Sequence, residues 1–288
     1  MTFVNARQEM GFQNAGTTTH RGGQMAAVEA REGLRRHPTT ILPVREEAHS
    51  VTALHELRAH CRSCSVRALC LPGDLDDRAL RMLDEVIHVR MRVRRKSALY
   101  RPGERFGALY AIRLGTFKTT VLAEDGREQV TGYHMAGEII GLDGIGDDRY
   151  TCEATALEDS EVCVLPWSEV DRLAADLPGL RRNVCRTISR DVSREQTMML
   201  LLGSRSAGER LAHFLLNVSE RYSARGYSSR EFVLRMTREE IASYLGLKLE
   251  TVSRLFSSLQ EHGFIQVQGR AVKLLDAAGL RRAIAERD

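Results

Sequence analysis

From residue 88 the chain reads HVRMRVRRK, in which Val89, Met91 and Val93 alternate with Arg90, Arg92 and Arg94. A two-residue period is that of a strand with one buried face, because successive side chains point to opposite sides of the pleat. The basic face is expected to be solvated. Short apolar runs follow in SALYRPGE, ALYAIRLGTFKTTVLAEDGREQVTGYHMAGEIIG and CEATALEDSEVCVLP, with Asp125-Gly126 as a hairpin turn. Many short strands at regular spacing predict a small antiparallel barrel or roll over 76–176.

Beyond Pro166 the period lengthens. Pro178 and Gly179 open a helical segment that continues to about Leu202, and Cys185, Ile188, Val192, Glu195, Met199 and Leu202 are spaced 3, 4, 3, 4, 3 within it. This is the seam of two helices packed along their length, and it assigns 177–204 to a dimerisation helix. Glu195 is the charged position in the seam.

The segment 205–288 is more specific. Thr237 and Glu240 form the T-x-x-E capping box that starts a helix, with Ile241 and Leu245 on its buried side and Gly246 at the turn after it. A second helix is expected from about Leu249 to His262. Val252, Leu255, Phe256 and Leu259 make its apolar stripe, while Glu250, Ser253, Arg254 and Ser257 share the opposite face. Gly263 ends it. FIQVQGRAVKLL reads as a hairpin turning at Gly269. Together these predict a winged helix-turn-helix, against the plainer reading of a helical hairpin with a Glu250–Arg254 ion pair. An arginine bonds guanine N7 and O6 in the major groove and a glutamate accepts from cytosine N4, so Arg254 and Glu250 have the chemistry of base readers.

Residues 1–50 are rich in Gly, Thr, Gln, Ala and Arg without a sustained apolar period. They read as a mobile extension, or one holding a small helix around 25–34. The 288 residues suffice for two cores, and 43% hydrophobic with 28% charged residues is ordinary for a globular protein. The net charge of +4 is compatible with nucleic acid without arguing for it. No apolar run approaches the roughly 20 residues that span a bilayer, and the N-terminus lacks a signal-peptide core, so a cytoplasmic location is expected. In that reducing compartment clustered cysteines hold metal or do redox work more often than they form disulfides. Three of the six cysteines, Cys61, Cys64 and Cys70, stand as C-x2-C-x5-C within 51–75.

The motifs HCRSCSVRALC, LYAIRLGT, GREQVTGYHMAGEIIG, ALEDSEVCVLP and YLGLKLETVSRL, in this order, resemble the FNR branch of the cyclic-AMP receptor protein/FNR superfamily. The resemblance runs from about Ala59 to Leu275. It implies an α+β fold: an N-terminal cupin-like, cyclic-nucleotide-binding-like β-roll sensor, a long dimerisation helix, and a C-terminal winged helix-turn-helix. It further implies a regulator, not an enzyme, that holds an oxygen-labile 4Fe-4S cluster. Cys61, Cys64 and Cys70 match the first three ligands and Cys163 the fourth. Such a cluster takes four thiolates. The implied partners are a second copy of the chain, palindromic DNA with TTGAT-type half-sites read by Glu250, Ser253 and Arg254, and RNA polymerase.

Alternatives remain open at this level. Cys152 is expected on the partner strand of the hairpin that carries Cys163, either as a competing ligand or as an inert buried thiol. Cys185 is expected to serve packing. Glu195 either faces its two-fold mate, weakening the dimer as a switch requires, or turns outward to an arginine such as Arg194. A zinc-stabilised regulator would use Cys61, Cys64 and Cys70 with His60, and a thiol-redox regulator is the other alternative within the superfamily. A cyclic-nucleotide activator would carry an Arg-Ser or Arg-Thr pair where this chain has Arg149-Tyr150.

Overall fold

The computed structural model describes residues 51–54, 60–71, 73–87, 89–122 and 126–285. The expected extension over 1–50, the helix around 25–34 and Asp125 of the expected turn lie outside the described residues.

Strand β1 (Val51–Leu54) precedes two single-turn 3-10 helices, Cys61–Ser63 and Arg67–Leu69. Helix α1 (Asp77–Val86) follows, capped by the Asp76 carboxylate, which accepts from the Ala79 N–H at 2.7 Å. The roll contains β2 (Arg90–Val93), β3 (Ala98–Tyr100), β4 (Ala108–Leu114), β5 (Thr116–Leu122), β6 (Glu128–Met135), β7 (Ile139–Ile140), β8 (Glu153–Ala156) and β9 (Ser160–Pro166). These strands form two antiparallel sheets in the orders β1-β2-β9-β4-β7 and β3-β8-β5-β6. Leu109, Ile112, Phe117, Val162 and Leu165 bury in the core of the roll, which Leu80 and Leu83 of α1 join.

Two expectations fail here. Cys152 and Cys163 do not share a hairpin: Cys152 precedes β8 in the four-stranded sheet, whereas Cys163 lies in β9 of the five-stranded one. The roll closes by stepping the chain from sheet to sheet over 157–159, where the Leu157 N–H donates to the Thr116 carbonyl at 2.8 Å. The basic face of β2 is also not uniformly solvated. The Arg90 side chain is only 13% exposed and faces Glu161 at 3.7 Å, because Arg90 pairs directly across from Cys163 on the central strand β9.

Helix α2 (Trp167–Asp176) leads into α3 (Pro178–Ser204) and α4 (Ala207–Ser223). Ser206 caps α4 in a reciprocal box with Glu209, so only Arg205 and Ser206 separate the two helices, a break at which their angle can differ. β10 (Glu231–Val233) precedes α5 (Arg238–Leu245), which has the expected Thr237–Glu240 box. Gly246 then takes φ +62°, a left-handed turn that glycine accommodates without a Cβ clash. α6 (Leu249–Glu261) and the wing strands β11 (Ile265–Gln268) and β12 (Ala271–Leu274) follow, and α7 (Ala277–Ala285) closes the fold.

The core of this last part extends into the roll. Val130, Tyr133 and Met135 of β6 bury with Leu211, Phe214 and Ile241. A bulge allows it: Thr119 pairs with Gly132 but Thr120 with Val130, so Thr131 is extra and the side-chain alternation resets. The Val130 N–H donates to Ser243 Oγ at 2.9 Å, Lys118 meets Glu240 at 3.1 Å, and the Tyr133 and Tyr244 rings stack edge-on at 5.0 Å.

Candidate metal centre and nucleic-acid interface

The cysteine loop is a run of tight turns. The Cys64 N–H donates to the Cys61 carbonyl, the Arg67 N–H to Cys64, and the Cys70 N–H to Arg67, at 3.1–3.3 Å. This winding brings Cys61, Cys64 and Cys70 to one cavity of about 50 Å³, with Cys163 of β9 on its wall. Ile87, Ala111, Ile112 and Leu165 supply apolar lining, His60 also lines the cavity, and Arg67, Arg90 and Arg113 bring positive charge. The Asp84 carboxylate of α1 anchors the loop by accepting from the Cys61 N–H at 2.6 Å. No three of the described His, Cys, Asp and Glu side chains stand as ligands of a single ion; the thiols are distributed around the cavity.

As free thiols, Cys61, Cys70 and Cys163 resist ionisation. Burial pushes Cys70 up to about 12 and raises Cys61 well above the usual thiol range, with Cys70 and Asp84 adding repulsion to Cys61. Burial also raises Cys163, to about 11, against the opposing pull of Arg90 and Arg113. Anionic sulfur in this cavity therefore needs further positive charge, the kind that a bound metal supplies. The donor set fits an iron-sulfur group.

Cys152 belongs elsewhere. It is buried beside Asp143 Oδ2 at 3.4 Å and the Tyr100 hydroxyl at 4.0 Å, and lines a different chamber between the roll and α3. Cys185 is exposed on α3. So are Ile188, Val192 and Met199, at 36%, 46% and 65%, leaving most of the 3-4 stripe bare. Leu180, Val184 and Leu201 turn the opposite way, into the protein. Glu195 is exposed on the stripe, and Arg194 turns away from it to Asp191 and Glu138.

On α6, Val252 and Phe256 are buried, while Glu250, Ser253, Arg254 and Ser257 are exposed along one face. Glu250 and Arg254 make no ion pair with each other among the described residues. The Arg238 guanidinium lies 3.1 Å over the Phe256 ring and fastens α5 to α6 by a cation–π contact.

Two family models match the chain: a cyclic nucleotide-binding domain at 90–176 and a Crp-like helix-turn-helix domain at 209–283. The transcriptional regulatory protein btr of Bordetella pertussis is 45% identical, over 79% of this chain and 94% of its own. The fumarate and nitrate reduction regulatory protein of Salmonella typhimurium is 40% identical, over 77% of this chain and 88% of its own. The chain belongs to the FNR branch of the cyclic-AMP receptor protein/FNR superfamily. Among solved structures, FixK2 from Bradyrhizobium japonicum superposes with a TM-score of 0.63 at 28% identity, covering 67% of this chain and 95% of that one. This FNR-branch chain carries the DNA-binding module of transcription regulators, and no helix among its described residues is long and apolar enough to cross a membrane.

In the roll chamber of this FNR-branch protein, Asp143, Asp191 and Glu195 are among the lining residues with Arg194, so acidic side chains outnumber arginines there. Arg149 is spent on the Gly103 carbonyl at 2.6 Å. Sequence reasoning missed Arg90 and Arg113 at the cysteine cavity, and also Asn183, whose amide donates to the Leu71 carbonyl at 2.9 Å and ties α3 to the cysteine loop. An asparagine inside an otherwise amphipathic helix is a weak signal; its partner lies 112 residues away.

Proposed function

We propose that the chain is an oxygen-responsive transcription regulator in which Cys61, Cys64, Cys70 and Cys163 hold a 4Fe-4S cluster and Glu250, Ser253 and Arg254 read DNA. The observation that carries this reading is the convergence of three loop thiols and one strand thiol, 93 residues apart in sequence between Cys70 and Cys163, on one cavity. The bound cluster supplies a link between loop and roll that oxygen destroys. The chain's own residues do the rest. The Asp84 carboxylate and the successive turns position the loop thiols. Asn183 and the Arg186–Asp74 pair at 2.6 Å connect that loop to the start of α3. The bare 3-4 stripe of α3 is then the seam of a parallel homodimer, which presents two α6 helices to palindromic TTGAT-type half-sites. Residues 51–75 serve as the cluster loop, 76–176 as the sensor, 177–204 as the dimer helix and 205–288 as the DNA reader. RNA polymerase is the further partner expected, in the cytoplasm.

The test is an anaerobic visible spectrum with iron and sulfide analysis. The expected preparation is brown, holds four irons per chain by the proposed stoichiometry, and bleaches in air. A colourless zinc-bearing preparation overturns the reading in favour of the zinc regulator.

Glu195 gives a second expected outcome. Two carboxylates about 5 Å apart at an effective dielectric of about 20 repel by about 3 kcal/mol. Glu195→Ala is therefore expected to tighten the aerobic dimer by at least tenfold, roughly half of that repulsion, as read by sedimentation equilibrium. An unchanged monomer–dimer constant would place the carboxylate away from its mate.

A further inference from the structure

Glu138 follows β6 in a turn that touches three parts of the molecule. Its carboxylate receives Arg221 through Nε at 3.1 Å and Nη2 at 2.6 Å, and Arg225 through Nη2 at 2.7 Å. Arg194 Nη1 stands 3.5 Å away. Arg221 and Arg225 belong to α4 and Arg194 to α3, so one carboxylate holds helices from both sides of the Arg205–Ser206 hinge. The guanidiniums are fixed at their other ends too: Arg221 donates to the Tyr133 carbonyl at 2.6 Å and Arg225 to the Ala136 carbonyl at 2.7 Å. Burial would raise the Glu138 pKa, but Arg221, Arg194 and Arg225 prevail and hold it down to about 2, so the clamp stays charged at physiological pH.

The other face of the same turn meets the cysteine loop. Gly137 has φ +88°, and a Cβ there would stand 2.7 Å from the Leu69 Cβ and 3.5 Å from the Val66 Cβ. Leu69 is the residue before Cys70. The turn is also bonded on both sides of Ile112, which lines the cysteine cavity: Gly137 N–H to the Ile112 carbonyl at 2.7 Å, and Ile112 N–H to the Glu138 carbonyl at 2.9 Å. Leu69 sits against this turn and Ile112 is bonded to it on both sides, so a shift of either has a direct route to Glu138.

We propose that Glu138 is a positioning residue that couples the cysteine loop to the angle between α3 and α4, and so to the spacing of the two recognition helices. In its coupling to cluster state the proposal rests on the cluster reading above; the clamp across the hinge stands without it.

The parent chain, Glu138→Gln and Arg194→Gln are compared anaerobically and after exposure to air. DNA affinity is measured on palindromes with half-sites at the parent's preferred spacing and at one base pair more or less. Glu138→Gln is expected to keep the visible spectrum and iron content. Its ratio of anaerobic to aerobic affinity is expected to fall about tenfold, a usual size for coupling between sites, and its spacing preference to flatten in parallel. Arg194→Gln, which removes the longest of the three contacts to Glu138 together with the pair to Asp191, moves both readouts the same way by less. A general loss of stability would weaken all spacings alike. Glu138→Gln with the parent's ratio and spacing preference overturns the proposal; if that variant does not fold, the same result for Arg194→Gln does so. A colourless parent sinks the cluster reading and the coupling to it, while the spacing comparison still decides whether Glu138 clamps the hinge.

Discussion

Anaerobically purified Cys163→Ser is expected to be colourless, with iron and sulfide reduced to traces, while Cys152→Ser keeps the parent's spectrum. Cys163 sits on the central strand β9 between Arg90 and Ala111, facing the loop thiols across one cavity. Cys152 sits in the other sheet with Asp143 and Tyr100 as its neighbours. Serine preserves the size of both side chains, so neither change empties the core. DNA affinity of Cys163→Ser under anaerobic conditions is expected to match that of the air-exposed parent, a loss on the order of 5–150-fold if the coupling has the usual size. Anaerobic spectra, iron and sulfide assays, and binding isotherms check it. Loss of colour in Cys152→Ser with retention in Cys163→Ser would exchange their roles.

Arg254→Ala is expected to lose base discrimination as well as affinity. Arg254 is exposed on the same face of α6 as Glu250 and Ser253, one turn past Glu250, and no ion pair with Glu250 holds it back among the described residues. The rigid fork of a guanidinium matches guanine N7 and O6, and losing such a pair costs about 1–3 kcal/mol at that base pair. Sites varied at the guanine of the half-site are expected to bind Arg254→Ala nearly equally, whereas the parent separates them by roughly 5–150-fold, the same energy expressed as a ratio. A phosphate contact would weaken every sequence alike and lower the slope of affinity against salt. Titrations at two salt concentrations distinguish the outcomes, and uniform weakening with preference intact makes Arg254 an anchor. Arg238 belongs in the same experiment as a control, because its guanidinium is already committed to the Phe256 ring.

Local patterns in the chain determined a good deal of this molecule. The Thr237–Glu240 box, the left-handed Gly246 and the stripe of Val252 and Phe256 are interactions within a few residues, and each has the geometry its spacing implies. The same is true of α3, a helix where its spacing implies one, with its 3-4 apolar stripe largely bare. The C-x2-C-x5-C spacing likewise implies a loop, since so short a run can bring its thiols together only by tight turns.

Tertiary structure alone decided what depends on strand pairing and on contacts far apart in sequence. Alternation in β2 assigned Arg90 to solvent, yet pairing opposite Cys163 sets it beside the cysteine cavity. Nearness in sequence put Cys152 and Cys163 on one hairpin, yet the chain crosses between sheets at 157–159 and separates them. The bulge at Thr131 turns Val130, Tyr133 and Met135 toward the DNA-binding module, which no unbroken period of two would do. Glu138 carries no motif at all. Its arginines lie 56, 83 and 87 residues along the chain, and only the packing of α3 and α4 against one turn brings three positive charges to a single carboxylate. Periodicity records the face a side chain presents to its own element; which partner meets that face is fixed by the closure of the roll and the docking of helices on it.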